Sequence, residues 1–353
     1  MRLTELDTPC VVIDEDKVEA NLAGFQRLCD TLGVALRPHI KTHKLPELAR
    51  RQLELGAKGI TCQKIGEAEV FAAAGFDDIL ITFNIVGPAK LERLAALAAR
   101  VERLCVVADS ATVVEGLAAR FDHPERPLDV MVECDTGAGR CGVQSAEAAL
   151  ELARRIEAAP GLRFAGLMTY PKAFNEAKVQ TWFSHAQALF DQAGIAIPGF
   201  SSGGTPSMWK LAEAPIVTEY RIGTYIYQDR SQVAAGACRL DDCALAVMTT
   251  VVSCPTADRV VVDAGSKALT SDLLGLEGYG CVLGHPGARV VGLSEEHGTL
   301  DFSACAERPA VGDLLSIVPN HACPVSNLFD QVHFHRAGLL TRSLPVAARG
   351  KVG

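Results

Sequence analysis

The segment RPHIKTHK at 37–44 packs Arg37, His39, Lys41, His43 and Lys44 into eight residues. It follows VALRP at 34–38, a short apolar run that reads as a strand. A lysine at a strand end, beside apolar walls and other cations, gives up its proton and can form a Schiff base with an aldehyde. The plain alternative is a charged loop before a helix. If the inward direction of the strand continues to Lys41, Lys44 points elsewhere, so Lys41 is the candidate. Two further motifs, SSGGTP at 201–206 and RIGTYIY at 221–227, each set Gly beside Thr after a strand. Gly203, Gly204 and Gly223 allow backbone N–H groups to converge on an anion, and a helix starting near Pro206 adds its positive end. Two ordinary turns would use the same residues. Combined with Lys41, the pair implies a phosphate-bearing aldehyde as cofactor. GxxxxGK[ST] does not occur, so a triphosphate loop is excluded, and neither SSGGTP nor RIGTYIY has the GxGxxG form of a dinucleotide fold.

Other candidates are weaker taken singly. ECDTGAGRCG at 133–142 carries Arg140 on a glycine-rich loop, able to donate to a ring nitrogen or to pair with Glu133 or Asp135. Tyr170 ends the next strand and can pack on a ring or simply wall the mouth; Gln63 follows strand 58–62 as a polar contact. In NHACPVSNLFD at 320–330, His321 and Cys323 stand two apart, so on an extended segment they share one face, a reach that suits a metal with N and S ligands. The thiolate favours zinc over magnesium, and manganese stays open. Most HxC pairs bind nothing. Asp263, Lys267 and Asp272 in VVDAGSKALTSD, and His297 in SEEHG, read first as structured polar turns. His333 and His335 alternate with Val332 and Phe334, the pattern of one exposed face of an edge strand.

The elements that must position these groups fall into two rhythms. Apolar runs at 34–38, 58–62, 78–83, 103–107, 128–134, 163–169, 197–201 and 217–222 alternate with amphipathic stretches such as 17–32, 44–55, 65–74, 88–99 and 144–158. Strands buried on both faces and separated by helices make a parallel sheet, and eight such units suit a closed barrel of about 200 residues. An open doubly wound sheet is the competing topology. After about residue 235 the chain turns to strands and turns with no room for crossover helices. The expected fold is therefore α/β, a (β/α)8 TIM barrel with a second, mostly β C-terminal domain. The barrel takes residues 12–235, and residues 1–11 and 236–353 form the β domain, with CVVID free to pair there. In such a barrel, chemistry belongs beyond the carboxyl ends of the strands.

Composition narrows the class. The 353 residues hold 34 Lys plus Arg against 42 Asp plus Glu, a net charge of −8, with no basic stripe for phosphates, which argues against nucleic acid. No run of 18 apolar residues exists and MRLTELDTPC lacks a signal pattern, so a cytoplasmic protein without a membrane span is expected. Twelve cysteines are scattered without a CxxC pair, and about ten of them read as small buried thiols in a reducing compartment, with Cys323 an exception.

With DTPCVVID, RPHIKTHK, ECDTGAGRCG, SSGGTPS, YRIGTY, DAGSKALTSD and PNHACPVSN in this order, the chain resembles the D-threonine aldolase and D-serine dehydratase family, whose fold type III barrel is shared with alanine racemase. The resemblance implies pyridoxal 5'-phosphate bound covalently by Lys41. Its phosphate would be held by Gly203, Gly204, Thr205, Gly223 and Thr224, with Arg140 facing the pyridine nitrogen and Tyr170 at the ring side. It also implies a divalent metal, zinc or manganese, on His321 and Cys323, and a homodimer with shared active sites. Many members carry Gly-His shortly after the tyrosine, and that histidine serves as base. This chain has YPKAFNE instead, leaving Lys172 or a metal-bound hydroxide for the role. The expected activity is a lyase cleaving 3-hydroxy-D-amino acids to glycine and an aldehyde. The alternatives are a dehydratase giving a keto acid and ammonia, a racemase, and a non-catalytic cofactor carrier.

Overall fold

The computed structural model describes residues 1–353. Its chain divides into two compact units, one of residues 24–41, 46–223 and 351–353, the other of residues 1–23, 42–45 and 224–350.

The first unit is built on eight parallel strands. They are β2 (Ala35–Leu36), β3 (Ile60–Cys62), β4 (Asp78–Asn84), β5 (Arg103–Ala108), β6 (Leu128–Cys134), β7 (Leu162–Thr169), β8 (Phe200–Ser202) and β9 (Glu219–Tyr220), after β1 (Cys10–Asp14) of the other unit. The ladder runs β2-β9-β8-β7-β6-β5-β4-β3. Its two ends meet: Lys58 N–H donates to the Leu36 carbonyl at 2.9 Å and Thr61 N–H to that of Pro38 at 2.8 Å, with a parallel bridge between His39 and Thr61. The barrel is therefore closed, and the open sheet is excluded. Pro38 has no N–H to return, so this seam is thinner than the ladders elsewhere. Helices α1 (Glu15–Leu32), α2 (Pro46–Glu54), α3 (Ile65–Ala73), α4 (Pro88–Ala98) and α6 (Ala146–Glu157) fall where the 3.6-residue pattern put them, and α5 (Ala111–Arg120) and α7 (Glu176–Gln192) add to the set.

Inside the barrel, Leu80, Val107, Met131 and Met168 from four adjacent strands form an apolar cluster. Toward the amino ends of the strands lies an ion cluster. The buried Arg37 guanidinium donates to Asp78 at 2.6 Å and Glu219 at 2.7 Å, linking β2 to β4 and β9. Burial alone would raise the Glu219 carboxyl; the charge and hydrogen bond of Arg37 outweigh it and hold Glu219 below the usual glutamate range.

The second unit carries β10 (Leu245–Ser253), β11 (Arg259–Val262), β12 (Gly280–Val282), β13 (Arg289–Leu293), β14 (Gly298–Asp301), β15 (Leu314–Pro319), β16 (Gln331–Arg336) and β17 (Leu339–Pro345). The order β11-β14-β13-β12-β15-β10 closes on itself through an antiparallel β10–β11 pairing, giving a small β barrel, while β1, β16 and β17 extend from β10. CVVID is indeed a strand here, antiparallel to β10 and parallel to β16. One expectation fails: β16 lies between β1 and β17, so His333 and His335 are on an interior strand, half-buried, with His333 Nδ1 2.8 Å from Ser343 Oγ. The cysteines also fall short of the expected buried majority, since only Cys10, Cys29, Cys62, Cys134 and Cys243 are buried, while Cys141 and Cys254 are exposed and the other five half-buried. No helix is long and apolar enough to cross a membrane.

Candidate functional site

Two groups of polar residues emerge, one in each unit. In the barrel unit, Lys41 lies in the single 3-10 turn Ile40–Thr42, four residues past the extended pair that forms β2. Its Nζ is 3.5 Å from Gln63 Oε1, and His39 Nε2 is 3.1 Å from the same oxygen. Gln63 is fixed in turn: its Nε2 donates to the Thr82 carbonyl at 2.8 Å, and its N–H to Glu67 Oε2 at 2.7 Å. Lys41 and Gln63, singled out separately, are thus brought together at the carboxyl ends of β2 and β3.

The glycine loops leave β8 and β9, which are paired neighbours (Ser202 opposite Tyr220), at the same end. Gly203 has φ +145°, and a Cβ there would collide with the backbone of Arg221. Gly204 caps the 3-10 helix Thr205–Glu213 and its own Cβ position is open. The first N–H groups of such a turn have no preceding carbonyl to bond, which leaves them for an anion. Between the loops sits a residue that sequence reasoning passed over. Arg221 is buried, with Nε donating to Ser201 Oγ at 2.8 Å and Nη2 to the Thr169 carbonyl at 2.7 Å. Burial pulls its guanidinium down to about 10, still cationic at neutral pH. Only its place inside RIGTY could have flagged it.

Arg140 stands at the tip of the loop that Val143 closes by pairing with Glu133 and Asp135 backbone groups. Asp135 is occupied by the N–H groups of Gly137 and Gly139, which overcome burial and hold its carboxyl below the usual range. The Arg140 guanidinium lies 4.6 Å from the Tyr170 ring centroid, a cation–π contact. Tyr170 and Lys172 are both exposed on the loop after β7. Asp109, Glu133 and Cys141 also bring three potential ligand atoms within 4.8 Å of one another, a cluster not foreseen. Burial raises the Glu133 carboxyl, and the positive charge of Arg140 acts on it in the opposite sense, a cation already in place.

In the second unit, His321 and Cys323 flank the start of the helix Ala322–Leu328. Asp272 Oδ2 is 2.8 Å from His321 Nδ1, which makes Nε2 the candidate metal-ligand atom. Cys323 Sγ has the Thr42 hydroxyl at 3.2 Å and the Thr224 hydroxyl at 3.5 Å. Burial works against charge on both residues. Yet the Cys323 and Asp272 contacts push His321 up to about 9, while the hydrogen bond and charge of His321 hold the Cys323 thiol below its usual range. An imidazole nitrogen and a thiolate, each oriented by a further polar group, fit a divalent soft or borderline cation. Thr224, expected at the phosphate, reaches this sulfur. Of the DAGSKALTSD polar residues, only Asp272 joins the group. Asp263 instead accepts bonds from Thr8 and Thr249, and Lys267 makes an exposed ion pair with Glu296.

Residues 13–231 match the alanine racemase N-terminal domain model, and residues 244–335 match the serine dehydratase domain model. D-threonine aldolase of Arthrobacter sp is 37% identical over 363 residues, covering 99% of this chain and 94% of that protein. D-threo-3-hydroxyaspartate dehydratase of Delftia sp. (strain HT23) is 34% identical, covering 93% of each. The crystal structure of D-threonine aldolase from Filomicrobium marinum superposes with a TM-score of 0.92 at 32% identity, over 100% of this chain and 98% of that one. The chain belongs to the alanine racemase-like, fold type III family of pyridoxal phosphate-dependent lyases that includes D-threonine aldolases and D-threo-3-hydroxyaspartate dehydratases.

Proposed function

We propose that this protein is a pyridoxal 5'-phosphate- and divalent metal-dependent lyase that cleaves 3-hydroxy-D-amino acids to glycine and an aldehyde, in the manner of a D-threonine aldolase. The observation that carries this reading is Lys41 beside a fixed Gln63 at the carboxyl ends of β2 and β3, and the second unit separately holds an oriented His321–Cys323 pair. When bound, pyridoxal phosphate supplies an electron sink and the metal a Lewis acid.

The chain's own residues set the conditions. Lys41 holds the cofactor's carbonyl carbon, and Gln63 limits where its Nζ can go. The N–H groups around Gly203, Gly204, Thr205 and Gly223 take the phosphate, with Thr224 at the end of the second loop. Arg140, steadied on the face of Tyr170, donates to the ring nitrogen and keeps a proton from settling there. His321 and Cys323 hold the metal, zinc or manganese, with Asp272 aiming the imidazole. In place of the missing histidine, the Tyr170–Lys172 loop carries the proton of the substrate hydroxyl. The same reading makes the enzyme a cytoplasmic homodimer, in keeping with its twelve free thiols.

The aldolase reading is supported by 37% identity over 99% of the chain to an aldolase. A dehydratase yielding a keto acid and ammonia is the second reading, favoured by Cys323 as a thiolate ligand and by the Delftia relative. D-threonine and D-serine, each with zinc or manganese, separate the two: acetaldehyde plus glycine against keto acid plus ammonia. Borohydride reduction of the loaded enzyme should fix the pyridoxyl group on Lys41. A label elsewhere, or none, overturns the assignment.

A further inference from the structure

His321 is gripped through its neighbours in the chain, and the grip comes from one short stretch, residues 229–231. On the amino side, Asn320 is buried; its carbonyl accepts the Ser231 N–H at 3.2 Å and its Oδ1 accepts a bond from Arg230 Nη1 at 3.0 Å. On the carboxyl side, the Ala322 N–H donates to Asp229 Oδ2 at 2.9 Å. Asn320 also ties down the residue that aims the imidazole, because its Nδ2 donates to the Asp272 carbonyl at 3.1 Å.

Asp229 is wholly buried, and its two oxygens face different helices. Oδ1 accepts the Gln232 N–H at 3.1 Å and the Ser231 hydroxyl at 2.6 Å, which caps the helix Arg230–Ala234. Oδ2 takes the first amide of the helix Ala322–Leu328, whose own N-cap, His321, makes no side-chain capping bond. A carboxylate has two acceptor oxygens and an amide has one. Asn at this position therefore serves one helix and turns its NH2 group toward an N–H of the other, and the conflict is relieved only if one helix start shifts. The approach to Asp229 is constrained as well. Gln228 has φ +53°, in the left-handed region that a residue with a side chain seldom enters, and its N–H donates to the Thr224 carbonyl at 2.7 Å. Such a turn persists where its surroundings over-determine it. Here they do, since the Thr224 hydroxyl lies 3.5 Å from Cys323 Sγ.

We propose that Asp229 is a positioning residue for the metal pair, setting the separation and direction of His321 and Cys323 through the amide of Ala322, the one residue between them. The inference rests on the reading of that pair as a metal site. Two ligands on one chain bind an ion together only if both reach it at once, and zinc distances of about 2.0–2.1 Å to nitrogen and about 2.3 Å to sulfur leave little tolerance.

Cobalt(II) is the probe, because a cobalt–thiolate bond gives a near-ultraviolet charge-transfer band that a site without sulfur lacks. Purified protein is titrated with cobalt(II), zinc affinity is read by competition with a chromophoric chelator, and a thermal melt checks the fold. Asp229→Asn should weaken zinc binding about 10–100-fold and diminish the thiolate band. Asp229→Ser, which keeps an N-cap oxygen for Arg230–Ala234 but leaves Ala322 unheld, carries the same expectation and replaces Asp229→Asn if that variant fails to fold. Ser231→Ala removes the hydroxyl on the Oδ1 side and spares the Ala322 bond, so it should keep both affinity and band whatever its melting temperature. Equal loss in Ser231→Ala would assign the effect to the helix Arg230–Ala234 as a whole and overturn the proposal. Cys323→Ser separates the remaining failures. If it binds cobalt and zinc as the unaltered protein does, the metal pair is refuted and this role of Asp229 with it. If it loses the band while the folded Asp229 variants keep band and affinity, the metal pair stands and the proposal alone falls.

Discussion

Replacing Asp272 by Asn tests whether the His321–Cys323 pair is a metal site aimed by its neighbour. The carboxylate oxygen stands 2.8 Å from His321 Nδ1 and fixes both the ring orientation and the nitrogen that carries the proton. An Asn side chain keeps the shape and an acceptor oxygen but removes the charge that raises the basicity of the ligating nitrogen. Partners of this kind are worth about 10–100-fold in metal affinity. The Asp272 side chain is 42% exposed, so water already screens much of its field and the lower end applies. The expected loss is about tenfold, or about 1.4 kcal/mol. Competition with a chromophoric chelator for zinc on purified protein measures it directly, and a thermal melt confirms that the fold is intact. Lys267→Gln, on the same segment but engaged only in an exposed ion pair with Glu296, is the control and should leave affinity alone. An unchanged zinc affinity in Asp272→Asn would refute the reasoning.

Three other outcomes follow from the same geometry. Gly203→Ala should destabilise the barrel by about 1–3 kcal/mol, since φ is +145° and the new Cβ meets the Arg221 backbone, whereas Gly204→Ala, with open space, should melt near the unaltered temperature. Glu219 has a folded carboxyl below its unfolded value, so its ion pair stabilises fully above the ordinary glutamate range and is lost as acid protonates it; urea midpoints at neutral pH and at about pH 4 should fall less steeply in Glu219→Gln. Met168→Ala, in the cluster with Leu80, Val107 and Met131, should cost about 2–5 kcal/mol by equilibrium unfolding, and a value near zero would show that the barrel interior collapses around the gap.

Most of the barrel was legible because its signal is local. LDVMVEC and DILITF are apolar on both faces, and only a buried parallel strand or a longer helix accommodates that. The shortest strands were overdrawn: 197–201 and 217–222 shrink to Phe200–Ser202 and Glu219–Tyr220, where Pro198 and Gly199 delay the first and a two-residue pairing suffices for the second. The edge assignment of His333 and His335 failed for a different reason. Alternation reports which face is covered, and it says nothing about whether a further strand, here β17, lies alongside. Lys41, His321 and Cys323 stood out because reactive side chains in odd spacing are visible in one dimension. Their supports were not: Asp272 is 49 positions from His321, and Thr42 is 281 from Cys323. Arg221 was overlooked since an arginine following a strand is ordinary until its burial is known.

The thin closure at Pro38 has one more implication. A barrel of eight staves opens at the joint with the fewest rungs, and that joint borders the stave leading to Lys41. Breathing motions, read as hydrogen–deuterium exchange at Lys58 and Thr61, will accordingly be fastest beside Lys41, the residue proposed to hold the cofactor. The stiff side of the barrel, β4 through β7, keeps its shape meanwhile, so loading the enzyme asks for a local loosening and leaves the greater part of the wall undisturbed.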